Sequence, residues 1–462
     1  MTREYHKAFL PVHAVLADCP GTKDYAGHRH TAARWSVAER SGRSREEPGK
    51  ALIHADRSAV CLLLGRARRR RLVDMQPQCF LGDFTAVEPA YRSSQASTLA
   101  WTVQAHTRAE RTRAEAQGQS FDPGEFERAM TMRVEHFACG PDKIRERGYE
   151  LGDCAHTDWD KMSVYRLHEK AAGEGALARS RLYGRFADAA FARVYAARDS
   201  PPADLVHVTC TGYESPSAAQ RLVAERGWGM HTRVTHAYHM GCYAAFPALR
   251  IAAHGVQTRK GRASRSDVVH AECSSLHLNP LVHTAEQFVI ESLFADGAIG
   301  YGVRSGPAPR ASGPELELLA TREELLPDSS HAMSWVSGDA GMQMTLARNV
   351  PEYIARALGG FVDRLCDEAE LPAAERRKAV FAVHPGGPRI LDFVRDKLEL
   401  SEEQLGASRA VLLARGNMSS ATVPYIWRAL VDSADVPGGQ PVVSLAFGPG
   451  LTLCGAVLRK VA

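Results

Sequence analysis

Three polar residues stand where a chain could put them to chemical use. Cys242 follows Gly241 and opens a stretch of small apolar residues, Ala244 to Ala253, with the make-up of a buried helix. Glycine permits the sharp turn that exposes a side chain at such a place. The helix N-terminus, with its free N–H groups and positive dipole end, favours thiolate over thiol, and a nearby imidazole pushes the same way. His384 ends the apolar run Val380-Phe381-Ala382-Val383, just before Pro385-Gly386-Gly387-Pro388. Strand ends in open α/β sheets are where side chains reach a ligand crevice. Asn417 lies in Gly416-Asn417-Met418-Ser419-Ser420. An imidazole and a carboxamide that donate to one carbonyl oxygen supply what a thioester enolate or tetrahedral intermediate needs. Each residue also has a plainer reading: a structural thiol, one histidine among nineteen, a helix cap.

The elements that must position these residues occur twice. Val206-His207-Val208-Thr209-Cys210, a Gly/Ser/Pro turn and a helix from Ala218 to Arg226 are echoed by Val380 to His384, the Pro-Gly-Gly-Pro turn and a helix from Arg389 to Leu398. Met240-Gly241-Cys242 opens one apolar helix, and Arg415-Gly416-Asn417 opens another from Ser419 to Leu430. Each half is then expected to close as strand, glycine turn and strand: Ser292-Leu293-Phe294-Ala295-Asp296-Gly297 running to Val303, and Ser444 to Gly450 running to Leu458. Two related α/β halves, residues 76–310 and 311–462, would bring Cys242, His384 and Asn417 to one pseudo-symmetric cleft. Upstream, Cys79 to Phe84 reads as a strand, and Asp122-Pro123 caps a helix carrying Phe126, Met130, Val134 and Phe137. Residues 1–75 lack any sustained period and end in the basic run Gly65 to Arg71. They are expected to be a poorly ordered extension, with Met75 as a possible true start.

The 462 residues are 45% hydrophobic and 24% charged, and 57 Lys+Arg against 53 Asp+Glu leave a net charge of +4. Nothing in that balance calls for a nucleic-acid partner. No apolar run approaches the ~18 residues of a membrane span. The N-terminus lacks the layout of a secretory signal, and the ten cysteines show no CxxC pair or metal-ligand spacing. The expectation is a soluble cytoplasmic protein with no metal site.

With Gly241-Cys242, His384 to Pro388, Gly416 to Ser420 and Phe447-Gly448-Pro449-Gly450 in this order, residues from about 77 onward resemble the type III polyketide synthases, the chalcone synthase group of the thiolase fold. Supporting stretches are Cys210-Thr211-Gly212 with Ser215-Pro216, Cys273-Ser274, and Leu293 to Gly297. The resemblance implies five-layered αβαβα subunits forming a homodimer, with a Cys242–His384–Asn417 site. Cys242 would take an acyl group from coenzyme A. His384 and Asn417 would hold malonyl-CoA as it loses carbon dioxide, and the enolate would attack the cysteine-bound thioester. The product would be a small pyrone or resorcinol-type ring, with coenzyme A thioesters as substrates and no further cofactor. Phe447, Gly448, Pro449, Gly450 and His277 would line the substrate cavity. Lys143, Arg145 and Arg147 lie where the family meets the coenzyme A phosphates. Departures are Ala446, where the family has glycine, and a Cys273–Asp296 segment shorter than in the plant enzymes and closer to bacterial members. The alternative is a stand-alone ketosynthase fed by an acyl carrier protein; a third reading, a catalytically silent thiolase-fold subunit, sits poorly with the intact triad.

Overall fold

The computed structural model describes residues 78–258, 264–306 and 313–461. The expected extension over residues 1–75, its basic run and the alternative start at Met75 lie outside the described residues.

The strands are β1 (Cys79–Val87), β2 (Tyr91–Ser94), β3 (Glu146–Tyr149), β4 (Asp204–Thr209), β5 (Arg233–Tyr238), β6 (Arg265–Glu272), β7 (Gly297–Ser305), β8 (Glu315–Leu325), β9 (Met333–Gly338), β10 (Gly341–Leu346), β11 (Val380–Val383), β12 (Pro441–Gly448) and β13 (Thr452–Val461). Nine of them hydrogen-bond in the order β11-β12-β13-β8-β1-β7-β6-β4-β5, while β2/β3 and β9/β10 form separate ribbons. The order reads alike outward from the short β1/β8 contact. On one side β1/β7 and β7/β6 are antiparallel and β6/β4 is parallel. On the other, β8/β13 and β13/β12 are antiparallel and β12/β11 is parallel.

Apolar period dictates the layers. Helix Ala245–Gln257 is rich in alanine on the face that packs inward (Ala245, Ala248, Ala252), and it shares one buried apolar cluster with helix Thr422–Asp432. Phe246 and Tyr301 both meet Trp427 edge-on, with ring centroids 5.9 Å apart in each pair. Helices Gln95–Ala116, Ala176–Val194 and Ala218–Glu225 cover the outer face of the β1-to-β5 side. Helices Val350–Glu368, Pro388–Leu398 and Gly406–Arg415 cover that of the other. The outcome is the mixed α/β, thiolase-like layering that the sequence suggested.

Local signals fared well where a cap or a strand pattern was present. Asp122 accepts from the amides of Gly124 and Glu125 and starts helix Pro123–Phe137. The expected closing hairpin of the first half needs correction. Ser292 and Leu293 end helix Ala285–Leu293, and the strand preceding β7 in the sheet is β6, twenty residues upstream of that stretch. The excursion between β6 and β7 forms the cavity wall instead.

Candidate active site

β5 delivers the chain to His239, which takes φ +62°, and Gly241, which takes φ +75°. The second is a conformation that glycine adopts freely. A Cβ on Gly241 would also lie only 3.0 Å from Pro449 Cδ. One turn, Gly241–Tyr243, then leads into helix Ala245–Gln257, leaving the Cys242 side chain on the wall of a cavity of about 260 Å³. Pro449 shares that wall. Of its neighbours, Gly448 lies against the Tyr243 ring, Phe447 is buried in the core, and Gly450 joins Leu451 through a cis peptide.

Asn417 follows Gly416, which takes φ +72° and closes against Arg147 Cγ and the Leu293 carbonyl. The Asn417 amide donates to Leu293 O at 2.9 Å, and its carbonyl accepts from Ala295 N at 2.8 Å. Its Oδ1 accepts from Ser419 N at 2.9 Å, a local turn contact rather than the helix cap read from the sequence, since Met418 holds the cap position. A hydrogen bond from the Asn417 side chain helps to stabilise a Cys242 thiolate. Cys242 Sγ itself lies 4.0 Å from Ser419 Oγ.

His384 leaves the end of β11, its amide donating to Leu445 O on β12 at 2.8 Å. β12 runs on to Gly448, which packs against the Cys242 turn. The imidazole is 1% exposed, and neither ring nitrogen has a hydrogen-bond partner among the described residues. A buried polar ring left without partners is costly and so points to a ligand group. Burial pushes its pKa down to about 3, which keeps it neutral. Burial likewise pushes the Cys242 thiol up to about 12, against smaller opposing effects from Ser419 and Asn417. The expected thiolate therefore gives way to a neutral thiol and a neutral imidazole, because desolvation outweighs the helix end.

The remaining candidates divide. His277 lines the cavity, donating from Nε2 to Thr211 O at 2.7 Å and accepting the Met342 amide at Nδ1, 3.0 Å away. Both nitrogens are thus occupied, and burial lowers its pKa to about 4. Lys143 is half exposed beside Asp142 and does not line the cavity. Arg147 is not a phosphate ligand. It is 1% exposed, and its guanidinium donates to Gln95 Oε1 (2.8 Å) and to the carbonyls of Glu291 (2.6 Å) and Phe294 (2.7 Å). It clamps the segment to which Asn417 is bridged.

Sequence reasoning missed several cavity residues. Cys210, Ser419 and Glu291 sat inside or beside recognised motifs but carried no assigned role. Ribbon β9/β10 supplies Met333, Trp335, Met342 and Met344; their period-two spacing in each strand was the available signal.

Residues 317–462 match the family model described as chalcone and stilbene synthases, C-terminal domain. The crystal structure of PKS-I from the brown alga Ectocarpus siliculosus aligns at 21% identity and TM-score 0.71, covering 84% of this chain and 99% of that one. The C-terminal type III polyketide synthase domain of Steely1, a type I/III hybrid from Dictyostelium, aligns at 24% identity and TM-score 0.68, covering 83% and 100%. The fold is thus chalcone synthase-like, and the resemblance read from the motifs is borne out at that level. The chain has the fold of the type III polyketide synthase structures, and residues 317–462 match the chalcone and stilbene synthase C-terminal domain model.

Proposed function

We propose that the protein is a type III polyketide synthase that joins malonyl-CoA to a Cys242-bound acyl starter by decarboxylative Claisen condensation. The observation that carries this reading is the cavity-facing Cys242 thiol beside the Asn417 carboxamide, with the buried His384 imidazole left unpartnered at the end of β11. Sulfur attack on an acyl-CoA carbonyl transfers the acyl group to Cys242 and the thiol proton to the departing coenzyme A. Donors from His384 and Asn417 then hold the malonyl thioester oxygen while carbon dioxide leaves, and each donor of this kind is worth ~10²–10³ in rate. The enolate carbon attacks the acyl-cysteine, releasing the sulfur. Neutral donors suit this task, since the step needs oxyanion stabilisation more than a strong base.

The modest cavity favours a short starter and few extensions, giving a small pyrone- or resorcinol-type ring. Two thiolase-like halves (76–310 and 311–462), a homodimer and a cytoplasmic setting complete the reading. The ketosynthase alternative, with an acyl carrier protein as donor, is not favoured, because what matches is chalcone and stilbene synthase and type III polyketide synthase. The test is incubation of the full chain with a panel of acyl-CoAs and labelled malonyl-CoA, with products identified by mass. Cys242→Ala should abolish both product and acyl adduct while keeping the fold. Condensation retained by that variant would refute the assignment.

A further inference from the structure

Four titratable side chains outside the triad form a continuous file. Glu110 Oε2 lies 3.3 Å from His283 Nε2, His283 Nδ1 lies 2.9 Å from His106 Nδ1, and His106 Nε2 lies 2.8 Å from Glu291 Oε2. One end reaches solvent: the side chains of Glu110 and His283 are 12% and 21% exposed. The other is sealed from solvent, His106 and Glu291 being 1% and 3% exposed. Glu291 lies on the wall of the same cavity as Cys242. The rings of Phe126 and Phe288 flank the imidazoles and keep the file apolar at its sides.

Counting protons shows what the file holds. It has three donor–acceptor gaps, and each needs one proton. Two neutral imidazoles bring one each, so the third gap calls for one further proton shared along the file. Charged and polar groups surround the file. Arg113 pairs with Glu110. The Asn279 amide and Gln287 Nε2 donate to Glu291 Oε1 at 3.0 and 2.8 Å, and Arg147 donates to the Glu291 carbonyl. The Arg133 guanidinium stands over Phe288, 5.8 Å from its centroid. Among the described residues no group of side chains is placed to hold a metal ion, so the file is not a metal site.

We propose that Glu110, His283, His106 and Glu291 form a proton relay that returns to the cavity the proton consumed in each condensation; the proposal rests on the reaction given above. Loading moves the Cys242 proton onto coenzyme A. Decarboxylation turns the unprotonated malonyl group into an enolate, and its attack breaks the acyl C–S bond and leaves Cys242 as thiolate. No substrate brings the proton that the next departing coenzyme A needs. The relay supplies it: one proton leaves at Glu291, one shifts along each imidazole, and one enters at Glu110 from solvent. No electrons are transferred, and each ring returns to its starting state by reorientation or back-transfer of its N–H.

The test compares first-turnover and steady-state rates of product formation by the full chain for wild type, Glu110→Gln, Glu110→Asp and His283→Gln, each checked for folding by its Tm. Glu110→Gln, at the partly exposed mouth, should leave the first turnover unchanged and lower the steady state by about tenfold or more. Glu110→Asp should restore it. Equal loss in both phases, or loss in neither, overturns the relay. A readout independent of activity is nitrogen NMR of labelled histidines at pH 7. Proton exchange between the ring nitrogens of His106 and His283 supports the relay, and two rings with fixed, non-exchanging N–H protons overturn it even if condensation proceeds. If that exchange is present but no acyl-CoA is condensed, the proposed reaction fails and the proton route into the cavity stands.

Discussion

The Cys242 thiol donates toward the Ser419 hydroxyl, Sγ to Oγ 4.0 Å, and that hydroxyl lies 3.1 Å from Cys210 Sγ. Cys210 in turn donates toward Glu272 Oε2 at 3.7 Å, and Glu272 also accepts from Thr209, Thr211 and Ser420. Cys242 therefore belongs to a polar chain that ends on a carboxyl shut away from solvent, whose pKa burial raises. Such a chain can shift a proton but has no exit of its own.

Alkylation of Cys242 reports how this arrangement holds the sulfur. Only thiolate reacts, and the thiol pKa is pushed up to about 12. The iodoacetamide rate, followed by peptide mass, should rise by about tenfold per pH unit through pH 9 without a plateau. Ser419→Ala removes one group that stabilises the thiolate and should slow labelling at every pH. A plateau already complete by pH 7 would instead demonstrate a thiolate–imidazolium pair.

Acid stability follows from histidines that are buried neutral. His207, His270 and His384 are each lowered to about 3 by burial, and His277 to about 4. Their folded pKa values lie below the unfolded value of ~6.5. The unfolded state therefore binds more protons, and stability is full above pH ~6.5 and falls as pH drops toward 3. Tm should decline steadily from pH 7 to pH 4. His384→Asn should flatten that decline, and an unchanged slope would show that His384 does not contribute to it.

The local structure around Cys242, His384 and Asn417 was legible because these residues sit at turns with strong local signals. Gly241 and Gly416 both take positive φ, and His384 precedes a Pro-Gly-Gly-Pro turn. Such requirements are written in a few adjacent residues. The cavity wall was harder to read, since His277, Trp335 and Glu291 meet only through the excursion between β6 and β7 and the separate β9/β10 ribbon. Charge type misled at Arg147, because a guanidinium reads the same in sequence whether it faces phosphate or backbone carbonyls. The protonation of Cys242 was misjudged for a related reason: the helix end is visible in sequence, and the depth of burial that outweighs it is not.

Arg147 should behave as a clamp. Its replacement by Met strands the Glu291 and Phe294 carbonyls and the Gln95 side chain. Lost hydrogen bonds to a charged group cost ~1.5–3 kcal/mol each, so denaturant unfolding should show a loss of several kcal/mol. Lys143→Ala, on the surface, should cost almost nothing. If Arg147→Met stayed stable and only raised KM for coenzyme A thioesters, the phosphate-binding role expected from sequence would be restored.

Starter size should be set where His277 and Trp335 meet edge to face, with centroids 5.9 Å apart. Trp335 Nε1 donates to Cys210 O at 2.7 Å, which pins the β9/β10 ribbon beside Thr211, the residue whose carbonyl also holds His277. Both rings are fixed by hydrogen bonds, so they form a rigid wall and a longer acyl chain cannot push them aside. Trp335→Ala removes the larger ring and should lengthen the preferred starter, each added methylene being worth ~1–3 kcal/mol once it finds apolar contact. Competition between short and long acyl-CoAs, read as the ratio of their kcat/KM values, measures the shift. The change should appear mainly in long-chain kcat/KM, since Cys242, His384 and Asn417 are untouched. Equal loss for every chain length would mean that the indole supports the ribbon without setting the length of the cavity.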